Sequence, residues 1–423
     1  MFSLSRPGAV ALLLFSLFFI GTGVQAQTPL TLAEAERLAL ANAVEVRESQ
    51  AQAQALREQA VADGQLPDPA LTLGAESLPV DSFSRSEEPM TQLKVGVSQA
   101  FPPGATLKHQ AARTTQLAGA ADAEAAARAR GLIRDVREAY LEFGYQQAAL
   151  RVLVDTRSVL TDIVAVTKSL YRVGRANLQD VLSAQLEQSL LDDRERELNA
   201  ERDAALASLQ RWTGALNGDV AVPVELPELA APPAAEELQA QLETHPMIAA
   251  ASARVAAGQS AVEAARQQYK PSWMVDVSYG DRIGREPDGM SRSDLVSAMV
   301  TVDLPLFTGK RQDRRVAASV EEAQAMRFAR DGALRDLQRE LETDYPRWQR
   351  LQERERGYAE QILPTARHNA EAALTAYRNG VTDFTALMRA TLTELDSRLQ
   401  ALRTQTDRLQ AQARLEYLAG DTQ

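Results

Sequence analysis

The sequence predicts a mainly α-helical protein with a small β part, in which long coiled-coil helices flank four strands. Three observations lead there. The 423 residues are only 5% aromatic, while Ala, Leu, Glu, Gln and Arg abound; this is the composition of long helices rather than of a bulky core. Apolar residues step by threes and fours through several stretches, as in Met388, Leu392, Leu395, Leu399, Leu402 and Leu409, with Thr406 filling one slot, which is coiled-coil spacing. Two other segments, 92–98 and 296–304, alternate strictly between apolar and polar residues, the period of a strand exposed to two unlike surroundings.

Along the chain, residues 1–26 read as an export signal. Arg6 supplies the positive start, Ala9 to Ile20 an apolar run, and Val24-Gln25-Ala26 a small-residue cleavage site. An uncleaved anchor is the alternative, although the run is short for a bilayer span. Processing removes the one charge of Arg6, so the formal charge of -11 becomes -12. A helix follows over about 31–63, with Thr31 as N-cap and Glu34 completing a capping box. Pro67 and Pro69 stop it. Strands are expected near 70–78 and 91–101, then a long helix over about 105–172, a turn at Gly174, and a helix ending near Gly214.

The second half repeats this order: helix 236–269, strands 272–280 and 295–306, long helix 310–378, turn at Gly380, helix to Gly420. The repeat is visible in residues. Tyr171-Arg172-Val173-Gly174 recurs as Tyr377-Arg378-Asn379-Gly380, and Trp212-Thr213-Gly214 aligns with Leu418-Ala419-Gly420 at the same offset. The expected organisation is therefore a first structural repeat at 27–216, a Pro- and Ala-rich extended linker at 217–235, and a second repeat at 236–423. The long seams include Val136, Tyr140, Phe143, Leu150 and Val154, and Leu334, Leu337, Leu341, Tyr345, Trp348 and Leu351. Charge runs such as 192–197 read as solvated faces.

Several functions are excluded. Without cysteine there is no disulfide framework, thiolate site or lipid-modified N-terminal Cys. His109, His245 and His368 are scattered without ligand spacing, and Met90, Met274, Met290 and Met299, in or near the strands, read as packing, so no metal site is expected. The acidic balance argues against nucleic acid. No catalytic or nucleotide-binding fingerprint occurs, so neither an enzyme nor a cofactor is expected.

Helix geometry gives a shape. At a rise of ~1.5 Å per residue each long helix spans roughly 100 Å, and the two shorter helices of a half, end to end, match it. Each half is then a hairpin of strands at one end and a helical turn at the other. Four strands are too few to close a barrel. Closure by copies removes the open edges: three copies give twelve strands, and a dimer with eight is also compatible with the sequence.

These residues resemble the TolC-type outer-membrane factors of tripartite efflux pumps and type I secretion, over essentially the whole mature chain. The most specific part is Tyr171 to Leu182, similar to the tip pattern Y-x-x-G-x-x-x-x-x-D-V-L; the segments 65–69 (Gln-Leu-Pro-Asp-Pro) and 304–311 resemble the heavy-metal branch. The resemblance implies a homotrimeric duct in the outer membrane of a Gram-negative bacterium. A twelve-stranded transmembrane β-barrel would continue as an α-barrel through the periplasm. A periplasmic adaptor would link it to an inner-membrane transporter of the RND type, with heavy-metal cations as cargo. Type I secretion and multidrug efflux are alternatives with the same fold, and a soluble periplasmic coiled-coil scaffold or adaptor is the alternative from another class.

The resemblance makes Tyr171, Arg172, Gly174, Arg175, Tyr377, Arg378, Gly380 and Asp383 candidates for adaptor docking at the periplasmic tips. Both glycines also read as helix C-caps, and both tyrosines as turn packing. Asp180 matches the acidic position of the tip pattern and is the entrance-gate candidate, as an inward ring of carboxylates; a first-turn Asp favoured by the helix dipole is the plainer reading. The second repeat has Ala386 at that position, with Asp383 three residues away.

Overall fold

The protein is described here by a computed structural model covering residues 29–216, 220–223 and 225–419. The signal segment, residues 217–219, and Gly420 of the C-terminal repeat match lie outside the described residues. In chain order the elements are α1 (Leu32–Asn42), α2 (Val44–Asp63), β1 (Ala70–Glu76), β2 (Gln92–Phe101), α3 (Thr106–Arg172) and α4 (Leu178–Thr213). They continue with α5 (Ala235–Gln241), α6 (Pro246–Gln267), β3 (Ser272–Asp281), β4 (Leu295–Asp303), α7 (Gln312–Gly357), α8 (Leu363–Arg378) and α9 (Phe384–Leu418). Helix α3 has 67 residues, about 100 Å at the standard rise.

The expected first helix of each half is broken. At Ala43 (φ -65°, ψ 86°) the chain leaves helical geometry between α1 and α2. Here Asn42 donates its side-chain amide to the Thr213 carbonyl at 2.7 Å, tying the break to the end of α4. In the second half the break falls at His245 (φ -58°, ψ 138°), after a 3-10 turn at Leu242–Thr244. Pro246 causes it, since a residue before proline is driven to extended backbone. The expected long helix over 310–378 is likewise interrupted, by a π-turn at Tyr358–Ile362. Pro364 follows at the start of α8; its ring nitrogen has no hydrogen to give the regular ladder. The capping box at Thr31 is half formed: Thr31 accepts from the Glu34 N–H at 3.3 Å, but the Glu34 carboxylate holds Arg37 at 2.6 Å instead.

Coiled-coil packing follows the predicted seams with one shift. Val136, Tyr140 and Phe143 are buried on α3, and Met388, Leu395, Leu399, Thr406 and Leu409 on α9. Val154, however, is 55% exposed while Leu153 is 1% exposed. Over so long a helix a 3.6-residue turn drifts against a heptad count, and the seam moves by one position. The charge run at 192–197 is not simply solvated. Arg157 of α3 holds Asp192 and Glu195, and Arg194 reaches Asp396 of α9 at 3.0 Å. Further pairs join the two halves: Arg414 with Glu138 at 2.7 Å, Arg403 with Glu142 at 2.8 Å and Arg398 with Asp155 at 2.9 Å. The described part of the linker is extended, and it is packed. The Gln147 side chain donates to the Val220 carbonyl and accepts from the Val222 N–H, both at 3.1 Å, and Val222 is buried.

The four strands form one antiparallel sheet in the order β1-β2-β3-β4. Register aligns the alternation across all of them. Leu71, Val97, Val277 and Ala298 form one cross-sheet row, and Leu73, Val95, Tyr279 and Val296 the next. The opposite face carries rows such as Thr72, Gly96, Ser278 and Ser297. The face of the first two rows is apolar apart from Gln99 and Asp281 and is largely exposed, and β1 and β4 are open edges. At the far end the loops between β1 and β2 and between β3 and β4 clamp each other: Arg292 donates to the carbonyls of Ser86 (3.2 Å) and Glu88 (2.9 Å), and Arg85 pairs with Asp281 at 2.5 Å.

Candidate functional site: the paired helical tips

The end of the molecule away from the sheet is made of two turns, α3–α4 and α8–α9. The chain reverses at Gly174 (φ 71°) and Gly380 (φ 74°), conformations that a side chain disfavours. Each closes by the same two bonds. Gly174 N–H donates to Tyr171 O (3.0 Å) and Arg175 N–H to Leu170 O (2.8 Å); Gly380 N–H donates to Tyr377 O (3.0 Å) and Val381 N–H to Ala376 O (2.9 Å). These are Schellman motifs, which satisfy the last carbonyls of α3 and α8.

The next helices start differently. Asn177 caps α4 by accepting from the Asp180 N–H at 2.8 Å, and the Asp180 carboxylate accepts from the Asn177 N–H at 3.3 Å. A complete capping box, of the kind only half formed at Thr31, therefore stands here, where Asn-x-x-Asp was the overlooked signal. Asp383 caps α9 through the Ala386 N–H at 2.8 Å, but alanine at 386 cannot return the bond. Asp180 is half-buried and Asp383 exposed.

The two tyrosines diverge. Tyr171 is 45% exposed, whereas Tyr377 is 5% exposed. The Tyr377 hydroxyl donates to Thr167 Oγ1 at 3.2 Å, and Thr167 passes its own hydrogen to the Ile163 carbonyl at 2.8 Å. The Tyr377 ring meets Phe384 edge-on at 6.0 Å. Burial pushes the Tyr377 phenol up; the bond to Thr167 works against this and the nearby Asp180 charge adds to it. Thr167 and Phe384 were not singled out by sequence reasoning; the apolar Phe directly after the cap was the available signal.

Structure thus brings Tyr377, Gly380, Arg175 and Asp180 into one neighbourhood. Arg172, Arg378 and Arg175 are exposed cations at the tip. Among the described residues no cluster of His, Cys, Asp and Glu has a metal-holding arrangement, and no helix is long and apolar enough to cross a membrane.

A four-stranded sheet with one apolar face, set on a long helical hairpin body with paired tips, is the fold of outer-membrane efflux channels. The outer membrane efflux protein family model matches residues 36–215 and again 238–421, and the chain belongs to that family, one of non-enzymatic channels. Among solved structures it is similar to CusC (16% identity, 99% of each chain covered, TM-score 0.77). It is similar also to the outer membrane protein VceC of Vibrio cholerae (18%, 93% of this chain and 97% of that one, 0.77). A third is the open-state MtrE channel of Neisseria gonorrhoeae (18%, 92% and 88%, 0.76). No curated protein matches the chain.

Proposed function

We propose that this chain is the export duct of a tripartite efflux pump, a homotrimer in the outer membrane of a Gram-negative bacterium. Twelve strands form its barrel, and helices its periplasmic tube. The observation that carries the reading is the sheet: its apolar rows run unbroken across four strands while both edges stay open, a surface that one chain cannot bury. Leu178, Leu182, Leu186 and Leu190 support it. They step by fours along α4 and are 53%, 57%, 59% and 53% exposed, an unpartnered seam suited to a neighbouring copy. The chain is a duplicated unit with repeats at 27–216 and 236–423 around the linker 217–235; the double family match and the equal closing bonds at Gly174 and Gly380 support this.

The tips, through Tyr171, Arg172, Gly174, Arg175, Arg378, Gly380 and Asp383, dock a periplasmic adaptor that couples the duct to an RND-type inner-membrane transporter. Tyr377 supports its tip from within, and Asp180 contributes to the entrance. The cargo is heavy-metal cations, a reading supported by segments 65–69 and 304–311. The test is fractionation of cells, molar mass of the detergent-purified protein, and conductance in a planar bilayer. A trimer that forms cation-conducting pores is expected. Recovery as a soluble periplasmic protein, or a monomer without conductance, overturns the duct; unchanged metal tolerance of a deletion strain overturns the cargo.

A further inference from the structure

At the helix-bearing end of the sheet, one amphipathic segment has no partner within the chain. β4 ends at Asp303 and α7 begins at Gln312. Between them Leu304, Leu306 and Phe307 are 61%, 73% and 84% exposed. Apolar side chains left in water side by side mark an interaction surface. The segment leaves the ladder instead of prolonging it: the Leu306 N–H donates to the Leu304 carbonyl at 2.9 Å and the Arg311 N–H to the Thr308 carbonyl at 3.0 Å. Lys310, Arg311, Arg314 and Arg315 follow, all exposed, and none makes an ion pair or side-chain hydrogen bond among the described residues. The two carboxylates beside them are already engaged by hydroxyls. Asp303 accepts from Ser272 at 2.8 Å and Asp313 from Tyr269 at 2.7 Å.

The two repeats differ here. Phe101 and Gly104 align with Leu306 and Gly309. In that alignment the first repeat has Gln99 and Pro102 in place of Leu304 and Phe307, and Ala105, Thr106, His109 and Gln110 in place of the four cations. The first repeat passes from strand to helix without these residues, so the passage itself does not require them. Sheet geometry places the segment. All four junctions of strand with helix fall at this end, where the last apolar row is Phe101, Trp273 and Val302. Aromatic side chains of this kind sit at membrane interfaces. Leu304 keeps the parity of Val302, so the segment steps off the apolar face just beyond that row. From Arg311 to Arg315 α7 rises about 6 Å, the depth of one headgroup layer.

We propose that segment 304–315 is a binding site for an anionic phospholipid of the membrane leaflet beside the helices. Its three apolar side chains enter the acyl layer, and its four cations hold headgroup phosphate, the combination by which apolar insertion and basic residues together bind anionic surfaces. This rests on the duct reading, in which the helix-bearing end is periplasmic and the leaflet next to it is phospholipid. It gives each copy one lipid site and assigns that site to the second repeat alone.

The test uses the full-length protein in vesicles of phosphatidylglycerol and phosphatidylcholine, with F307W in a W273F background as the fluorescent probe. Trp212 and Trp348 lie along α4 and α7, away from the sheet. One lipid at a time carries brominated acyl chains, which quench a tryptophan they touch. Phosphatidylglycerol is expected to quench the probe ahead of its mole fraction. R314Q is expected to lower its relative affinity about fivefold, and K310Q/R311Q/R314Q/R315Q to return quenching to mole fraction. Salt at about 0.5 M is expected to weaken the preference without any substitution of the cations. Quenching that follows mole fraction from the start, or a preference indifferent to salt and to the fourfold variant, overturns the site. A probe that neither lipid quenches in a protein that stays trimeric puts a second copy over Phe307 and overturns it as well. The two readings fail separately. An inserted, conducting protein without phosphatidylglycerol preference keeps the duct and loses the site; a soluble periplasmic protein that sediments with phosphatidylglycerol vesicles only while the four cations are present keeps the site and loses the duct.

Discussion

The guanidinium of Arg175 rests against Gly380, so closely that a Cβ built on the glycine would come within 2.8 Å of Nη2. The first tip thereby leans on the second, and a residue just past one Schellman turn touches the turning glycine of the other. Gly174 occupies the matching position with nothing within 4 Å of a built Cβ. The two glycines share a backbone and differ in their neighbours.

Gly174→Ala and Gly380→Ala separate these contributions. Each places a side chain in the left-handed region, at a cost of about 1–2 kcal/mol. Gly380→Ala also displaces Arg175. It is expected to lower the melting temperature further than Gly174→Ala and to change the resting conductance, and Arg175→Ala in that background is expected to recover part of the stability. Equal losses for the two glycines, with no recovery, would mean that the tips do not bear on each other.

Tyr377 and Tyr171 give a second comparison. Tyr377→Phe keeps the ring against Phe384 and removes one hydrogen bond, a loss of about 1 kcal/mol. Tyr377→Ala empties a buried site and is expected to cost about 3–5 kcal/mol, by analogy with other large-to-small aromatic truncations. Tyr171→Ala, at a half-exposed position, is expected to stay near parent stability in chemical denaturation while weakening adaptor capture if the tip docks there. A Tyr171→Ala loss as large as that of Tyr377→Ala would contradict the burial difference.

Acid is expected to loosen the start of α6 through His245. This imidazole is fully buried, accepts from the Met247 N–H at Nδ1 (3.3 Å) and faces the Tyr417 carbonyl through Nε2 (3.2 Å). Burial first, and then the Arg130 charge, hold its pKa down to about 4 from an ordinary 6.5, against the opposing pull of the Tyr417 carbonyl. The unfolded chain therefore takes up the proton first. Stability is full above about pH 6.5 and falls as the pH drops toward about 4, by on the order of 3 kcal/mol in total. His245→Asn keeps a capping acceptor and is expected to flatten that segment of the profile. A profile identical to the parent between those limits would assign the acid sensitivity elsewhere.

Much of this was legible because it is periodic or forced. Strand alternation fixed both faces of the sheet, and Gly174 and Gly380 marked turns that need positive φ. What stayed hidden depends on distant partners. The break at Ala43 has no proline to announce it, and follows from Asn42 reaching Thr213. Proline did announce the break at His245, yet the apolar pattern on either side reads straight through it. The charge run at 192–197 reads as solvated in one dimension and becomes a set of bridges only when α3 and α9 lie alongside. Methionine at 274 and 299 reads as apolar packing by residue type, and only strand parity places both on the polar side.

Asp180 carries two roles that one substitution cannot separate. Its carboxylate closes the capping box with Asn177, and its charge reaches Tyr377. Asp180→Ala removes its half of the capping box and its charge together, with a stability loss of about 0.5–1 kcal/mol typical of a lost capping bond, and is expected to leave assembly intact. Asp180→Asn keeps an acceptor for the Asn177 N–H and removes only the charge. If three Asp180 carboxylates ring the entrance, the asparagine variant retains parent stability and loses cation selectivity, measured as a reversal-potential shift toward zero under a salt gradient. If selectivity survives in the asparagine variant while the alanine variant melts lower, Asp180 is a helix cap and the entrance charge lies elsewhere in the tip. The second repeat supplies the internal control. Ala386→Asp installs the missing half of a capping box opposite Asp383, and it is expected to raise stability by a few tenths of a kcal/mol while adding a second carboxylate per chain at the height of Asp180, so that cation selectivity rises above the parent value only if that height faces the lumen.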